Sequence, residues 1–445
     1  MQMYRTAAGA ALVLLAAAGI ASAGVSHDEA AKLKGQLTPL GAERAGNKDG
    51  TIPEWKPVAA GPARTDKLPA DLFPNEKPLF QITAKNAAQY GDKLSEGTVA
   101  LLNKFPTYRL DVYPTHRTAS APQYVYDNTF NNAVNGTMSA EGPSGVYGGV
   151  PFPIPKNGLE AIWNHILKPH CAATDTVFRN LVGTADGRQA LANRAEQTMA
   201  FPYYFAESNE AEWKKGGSYY QQLRFIATDP PFKAGESIVI NDSVNGSRQA
   251  WQYLVGQRRV RRAPTVGYDT PDFVSSGTNY FDEVIGFYGA PDRYDWKLVG
   301  KREVFIPYNT NRFHLTDAEK AFMPFHANPD HLRWELHRVW VVEATLQSGK
   351  RHAVPKRRFY LDEDTWSVAL VDGFDAEDKL WRSSQILPFL MPEVPMVNGD
   401  ATLVYSLQNS TYSAILSMNG GHYHCTAAKP ASYFSGDALI EDNAR

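Results

Sequence analysis

Glu335 and His337 stand two apart in a run that reads as a β-strand, RWELHRVWVVEATL from Arg333 to Leu346. Side chains at i and i+2 of a strand share a face, so a proton could pass between them. With a further acid nearby, such a pair would suit a hydrolase; two polar groups on a solvated face would leave the same pattern. His422 and His424 also share a face, with Cys425 opposite, but no third metal donor stands in register. Asn47-Lys48-Asp49-Gly50-Thr51-Ile52 has the middle of a calcium loop. Ala45 and Lys56 occupy the places of its first ligand and its bidentate acid, so a plain turn is expected. His116, His165 and His337 have no motif partners. No G-x-S-x-G, H-E-x-x-H, P-loop or G-x-G-x-x-G occurs. The sequence therefore assigns no catalytic residue, no metal and no cofactor.

Binding chemistry is better represented. The second face of the same strand carries Trp334, Leu336, Arg338, Trp340 and Val342. Trp334, Leu336, Trp340 and Val342 are bulky enough to line an apolar cavity, and equally able to pack on a helix. Gln257-Arg258-Arg259-Val260-Arg261-Arg262 is the densest charge cluster. Guanidinium forks suit phosphate or carboxylate, so Arg258, Arg259, Arg261 and Arg262 could receive an anionic headgroup at a cavity mouth. The alternative is a ladder of ion pairs with Asp269, Asp272, Asp282, Glu283, Asp292 and Asp295. Leu387-Pro388-Phe389-Leu390-Met391-Pro392 could be a lid or an edge segment tucked against the core.

The elements that must position these residues can be read along the chain. Its 445 residues carry 45 Lys+Arg against 47 Asp+Glu, a balance that argues against nucleic acid as a partner. With 43% hydrophobic residues it can bury a large core, and 34 Gly, 29 Pro and 12% aromatics favour strands and turns. Cys171 and Cys425 rule out a disulfide framework but could form one bridge. The apolar stretch Ala7 to Ile20, followed by Ala21-Ser22-Ala23, reads as an export signal cleaved after Ala23, giving residues 1–23 to the signal and a periplasmic product. Residues 24–150 read as an N-terminal arm with short helices at His27–Lys34 and after Ser95, and a Pro-rich tract over 38–78. Leu159, Ile162, Trp163 and Ile166 repeat at i, i+3, i+4, i+7, the clearest helix. Residues 151–445 read as an open-barrel domain, a single unit with the arm. Runs such as Tyr219–Thr228, Glu236–Asn241, Trp251–Val255, Trp296–Ile306, Arg358–Leu361 and Trp366–Val371 predict antiparallel strands, with turns at Asp362–Thr365 and Asp375–Asp378.

Several segments together resemble a secreted Gram-negative family catalogued as domain of unknown function 1329. They are LTPLGAERAGNKDGTIPEW (Leu37–Trp55), EKPLFQIT (Glu76–Thr83), VYPTHR (Val112–Arg117), PFPIP (Pro151–Pro155), EAIWNH (Glu160–His165), QRRVRRAP (Gln257–Pro264), DRYDWKLVGKREVFIPYN (Asp292–Asn309) and RWELHRVWVVEATL. The resemblance implies kinship with the LolA/LolB lipoprotein-carrier superfamily, whose members hold acyl chains in incomplete β-barrels. It also implies association with envelope transport, through an export pump or an outer-membrane partner. The expected fold is thus a β-rich α+β one, a large curved antiparallel sheet forming an open or incomplete barrel, covered by a few helices. The expected function is a soluble periplasmic carrier or binding protein for a lipid or other hydrophobic molecule. The rival reading is a non-enzymatic adaptor of an envelope export machinery that docks through its Pro-rich arm.

Overall fold

A computed structural model describes residues 24–443. The signal peptide and its cleavage after Ala23 lie outside the described residues. The runs of Val, Ile, Tyr and Trp become the strands of one sheet of fifteen. In chain order these are β1 (Phe80–Ile82), β2 (Leu110–Val112), β3 (Ala173–Gly183), β4 (Gln189–Ala200), β5 (Tyr219–Asp229), β6 (Ser237–Ser243), β7 (Arg248–Leu254) and β8 (Arg259–Arg262). There follow β9 (Tyr294–Pro307), β10 (Trp334–Leu346), β11 (Lys356–Asp362), β12 (Val368–Phe374), β13 (Leu380–Ile386), β14 (Thr402–Ser406) and β15 (Thr411–Cys425).

Two meanders, β3 through β8 and β9 through β15, make up all of this sheet but the β1–β2 pair, and they meet where β15 pairs antiparallel with β3. All pairings are antiparallel except one parallel bridge, in which Trp334 of β10 lies beside Val112 of β2. The expected curved antiparallel sheet is therefore present, but it does not close into a barrel. Among the described residues β8 pairs only with β7, β9 only with β10 and β1 only with β2, so the free edges stay apart.

Each face of the sheet is covered by the chain itself. Register sets Val341 of β10 beside Tyr360 of β11, and Tyr360 beside Leu370 of β12. These three join a core with Leu101 and Leu102 of helix α1 (Glu96–Lys104), whose first turn is capped by Ser95. On the opposite face Val342, Phe359 and Val371 are neighbours and pack with Ala161, Ile162 and Trp163 of helix α3 (Gly158–Ile166). Helix α2 (Gln123–Asn135), a polar stretch without a side-chain cap, seals that core through Val125. Burying one such Leu or Phe contributes about 1.5–3 kcal/mol, so layers on both faces stabilise a sheet too broad to stand bare.

The arm is part of this structure and not an appendage. The Trp55 indole N–H donates to the Ala119 carbonyl at 2.7 Å, Gly61 N–H to Pro392 O at 2.8 Å, and Arg64 bonds Glu393 and the Tyr423 carbonyl. Cys171 and Cys425 are joined in a disulfide with Cα atoms 5.7 Å apart, tying the end of β15 to the segment leading into β3. Asn47 closes its turn through Ile52 N–H, as a plain turn would. Leu387, Phe389, Leu390 and Met391 are buried, with Phe389–Met391 paired to Met396–Asn398, so this segment is tucked into the core. No helix among the described residues is long and apolar enough to cross a membrane.

Candidate functional site

An apolar groove lies where the arm meets the end of the sheet. Register places Phe80 beside Val112 and Phe305 beside Leu336, two pairs that form its floor. Tyr90, on the helical turn Ala87–Lys93, stacks on Phe80 with ring centroids 5.4 Å apart, and Phe305 meets both rings edge-on at 6.1 and 5.9 Å. Leu79, Tyr113 and the turn Gly50–Pro53 complete the walls, and the cavity volume is about 460 Å³. That falls within the roughly 300–1,000 Å³ usual for small-molecule sites. Leu79 is 64% exposed and Phe80 36%, unusual for side chains of this size. Lys93 stands on the lining and makes no ion pair among the described residues.

The space beneath the two meanders is mostly filled. Phe178, Phe225, Ile238, Ile240 and Phe281 border a second apolar cleft, of only about 70 Å³. A more polar pocket of about 200 Å³ surrounds Arg248, whose guanidinium bonds Asp242 at 2.6 and 3.0 Å.

The residues expected to line a cavity divide between these surroundings. Leu336 borders the groove. Trp334 and Val342 are wholly buried, the first in the core beneath α1 and the second against α3. Trp340 is half-buried, stacked on Trp366 with centroids 6.2 Å apart, and carries the Lys301 ammonium over its ring at 4.8 Å. Arg259, Arg261 and Arg262 are exposed on β8, the far edge of the sheet path, and Arg258 sits in the turn before it. Among the described residues the ion-pair ladder expected for them does not form. Asp269 pairs with Arg293, Asp282 with Arg357 and Glu283 with Arg382, because the chain from 263 to 293 turns back across the other meander.

Glu335 and His337 do share a strand face, but that face is not solvated: both are buried. His337 Nε2 lies 3.1 Å from Glu335 Oε2. An ionised carboxylate can only accept, so the proton is on Nε2. Glu335 also receives Asn309 Nδ2 at 2.9 Å, the His116 backbone N–H at 2.7 Å and Arg333 Nε. Burial opposes its ionisation, but His337 and Arg333 outweigh this and hold its carboxyl below the usual range.

The turn after β11 folds onto the same face. Asp362, Glu363 and Asp364 are all buried. Arg117 clasps Asp364, while Arg338 and Lys301 take Glu363 at 2.7 and 2.9 Å. Burial and the neighbouring Asp364 push the Asp362 carboxyl up to about 7. Sequence reading placed this turn correctly but missed its inward direction. The signal was there: three successive acids are costly to bury unless basic residues come to meet them, and Arg117 and Arg338 do so.

Comparison with known proteins adds kinship. A family model described as protein of unknown function, DUF1329, matches residues 81–440. PA3922, an uncharacterized protein of Pseudomonas aeruginosa, is 41% identical over 389 residues, covering 84% of each chain. Among solved structures, a DUF1329 family protein from Desulfovibrio piger aligns over 63% of this chain and 95% of its own, with 12% identity and a TM-score of 0.42. LolA superfamily protein NE2245 from Nitrosomonas europaea aligns over 64% of this chain and 100% of its own, with 10% identity and a TM-score of 0.37.

Proposed function

The chain belongs to the DUF1329 family, and on the strength of its groove we propose that it is a periplasmic carrier or binding protein for a lipid or other hydrophobic molecule. One observation carries the reading: a cavity of about 460 Å³, floored by Phe80, Val112, Phe305 and Leu336, that the protein leaves open to solvent. Burying twelve methylenes there at about 0.8 kcal/mol each would contribute roughly 10 kcal/mol before ordering costs. Lys93, which makes no ion pair among the described residues, gives the groove a cation that suits an amphipathic anion such as a fatty acid, its chain on the aromatic floor. Leu336 then keeps the role anticipated for it. Trp334 would support the floor from within, Val342 packs against α3 away from the groove, and the arginines of 258–262 would face another part of the envelope. No step of this activity calls for a catalytic residue.

The adaptor alternative keeps a surface to dock through, since Leu40, Ile52, Trp55 and Leu68 anchor the arm while many of the residues between them are exposed. Delivery to an envelope transporter or outer-membrane protein remains a natural extension of a carrier. The test is native mass spectrometry of protein purified from its own periplasm, followed by titration of the delipidated protein with a fluorescent fatty acid. Saturable binding at one site per chain is expected. An absence of copurified lipid together with no response to the probe would overturn the proposal.

A further inference from the structure

We propose that His337, Asp362 and Asp364 form a buried site for a divalent transition-metal cation of the Zn²⁺ class, with the Tyr308 hydroxyl as a further donor. The donor atoms of His337, Asp362 and Asp364 lie within 4.8 Å of one another, and all three side chains are buried. One nitrogen and two carboxylate oxygens favour a borderline transition ion, whereas calcium takes oxygen alone.

Two further observations point to a ligand. Tyr308 is 1% exposed, and its hydroxyl finds no hydrogen-bond partner among the described residues. Its ring stacks on His337 with centroids 3.9 Å apart, which sets it beside the three donors. Asp362, in turn, makes no ion pair among the described residues, although Glu335, Glu363 and Asp364 each hold a guanidinium. A carboxylate so buried without a counter-charge is costly, and a cation would supply one.

The outer contacts are also those of a metal site. A histidine that binds metal through one ring nitrogen commonly donates its other N–H to a carboxylate. His337 does this to Glu335, which leaves Nδ1 for the cation. Asp364 is held by Arg117, and Asp362 accepts from the Thr365 hydroxyl at 2.7 Å. Bound there, the ion would tie the turn after β11 to β10 in the core.

Protein purified without an affinity tag, stripped with a chelator and mixed with Zn²⁺ alone, would be passed through gel filtration and assayed for metal and thermal midpoint. About one ion per chain and a raised midpoint are expected. Asp362→Asn should weaken retention by about tenfold or more, while a variant lacking His422 and His424 keeps the metal. Loss of metal with the tail histidines, or equal retention by Asp362→Asn, would overturn the proposal. If Asp362→Asn does not fold, the visible spectrum of Co²⁺ added to the stripped wild type decides. Bands of a low-symmetry nitrogen and oxygen site support it, and the spectrum of aqueous Co²⁺ overturns it. A wild type that binds no metal, with Asp362→Asn melting higher, would show a proton shared by Asp362 and Asp364 instead.

Discussion

Arg117 grips both carboxylate oxygens of Asp364, 247 positions further along the chain, at 2.8 and 2.7 Å, and both side chains are buried. The same guanidinium donates to the carbonyls of Glu43, Arg44 and Pro53. One side chain thus joins the arm, the β2 segment and the turn after β11.

Removing it should be severe. Arg117→Ala leaves Asp364 buried without its partner, a loss of about 3–5 kcal/mol. Arg117→Lys should recover less than half of this, since an ammonium cannot reproduce the two-point fork. Urea unfolding of the three proteins measures the differences.

Acid sensitivity should trace to Asp282. Burial opposes its ionisation, but Arg357 and His352 prevail and hold its carboxyl at about 2. A carboxyl lowered on folding contributes stability that is complete above its unfolded value near 4 and is lost as pH falls towards 2. Asp282→Asn should therefore cost about 3–5 kcal/mol at pH 7, because Arg357 stays buried. The difference from wild type should shrink steadily between pH 4 and pH 2. Chemical denaturation across that range tests it, and a constant difference would refute the assignment.

Reduction of Cys171–Cys425 should destabilise without unfolding locally first. The bridge spans 254 positions, and long closed loops give up most entropy when cross-linked, for about 2–5 kcal/mol. Thermal melts with and without reductant, and of the Cys171→Ser and Cys425→Ser variants, should show the same fall.

Groove and fold should separate at Phe80. On this edge strand Phe80→Glu gives up two ring contacts and should cost about 1–2 kcal/mol in stability, leaving the fold intact. The charge would sit on the aromatic floor beside Tyr90 and Phe305, so acyl-probe affinity should fall by tenfold or more. Equal binding by the variant would remove the groove as the ligand site.

Much of this architecture was legible where periodicity was strong. Ser95 caps α1 as its position suggests, α3 follows its apolar repeat, and β9 to β12 match their runs of Val, Trp, Tyr and Phe. Strands β3, β4 and β15 escaped reading because Ala, Asn, Ser and Gly fill many of their positions. Tertiary pairing, not propensity, makes them strands. The groove was illegible for another reason. Its lining comes from six separate stretches between Gly50 and Leu336, and of these residues only Leu336 stood among the expected cavity-lining side chains. The turn at Asp362–Thr365 was legible but the burial of its acids was not, because the cations that meet them, Arg117, Lys301 and Arg338, come from other parts of the chain.

The position of β15 has a consequence for how the molecule comes into being. It is the last strand, and it lies between β14 and β3, so it alone joins the two meanders. Until residues 411–425 arrive, β3 must wait with a bare edge, the condition under which strands find wrong partners. The sheet can be zipped only once nearly the whole chain is available, and a nascent chain lacking its final stretch would hold two half-sheets with no seam.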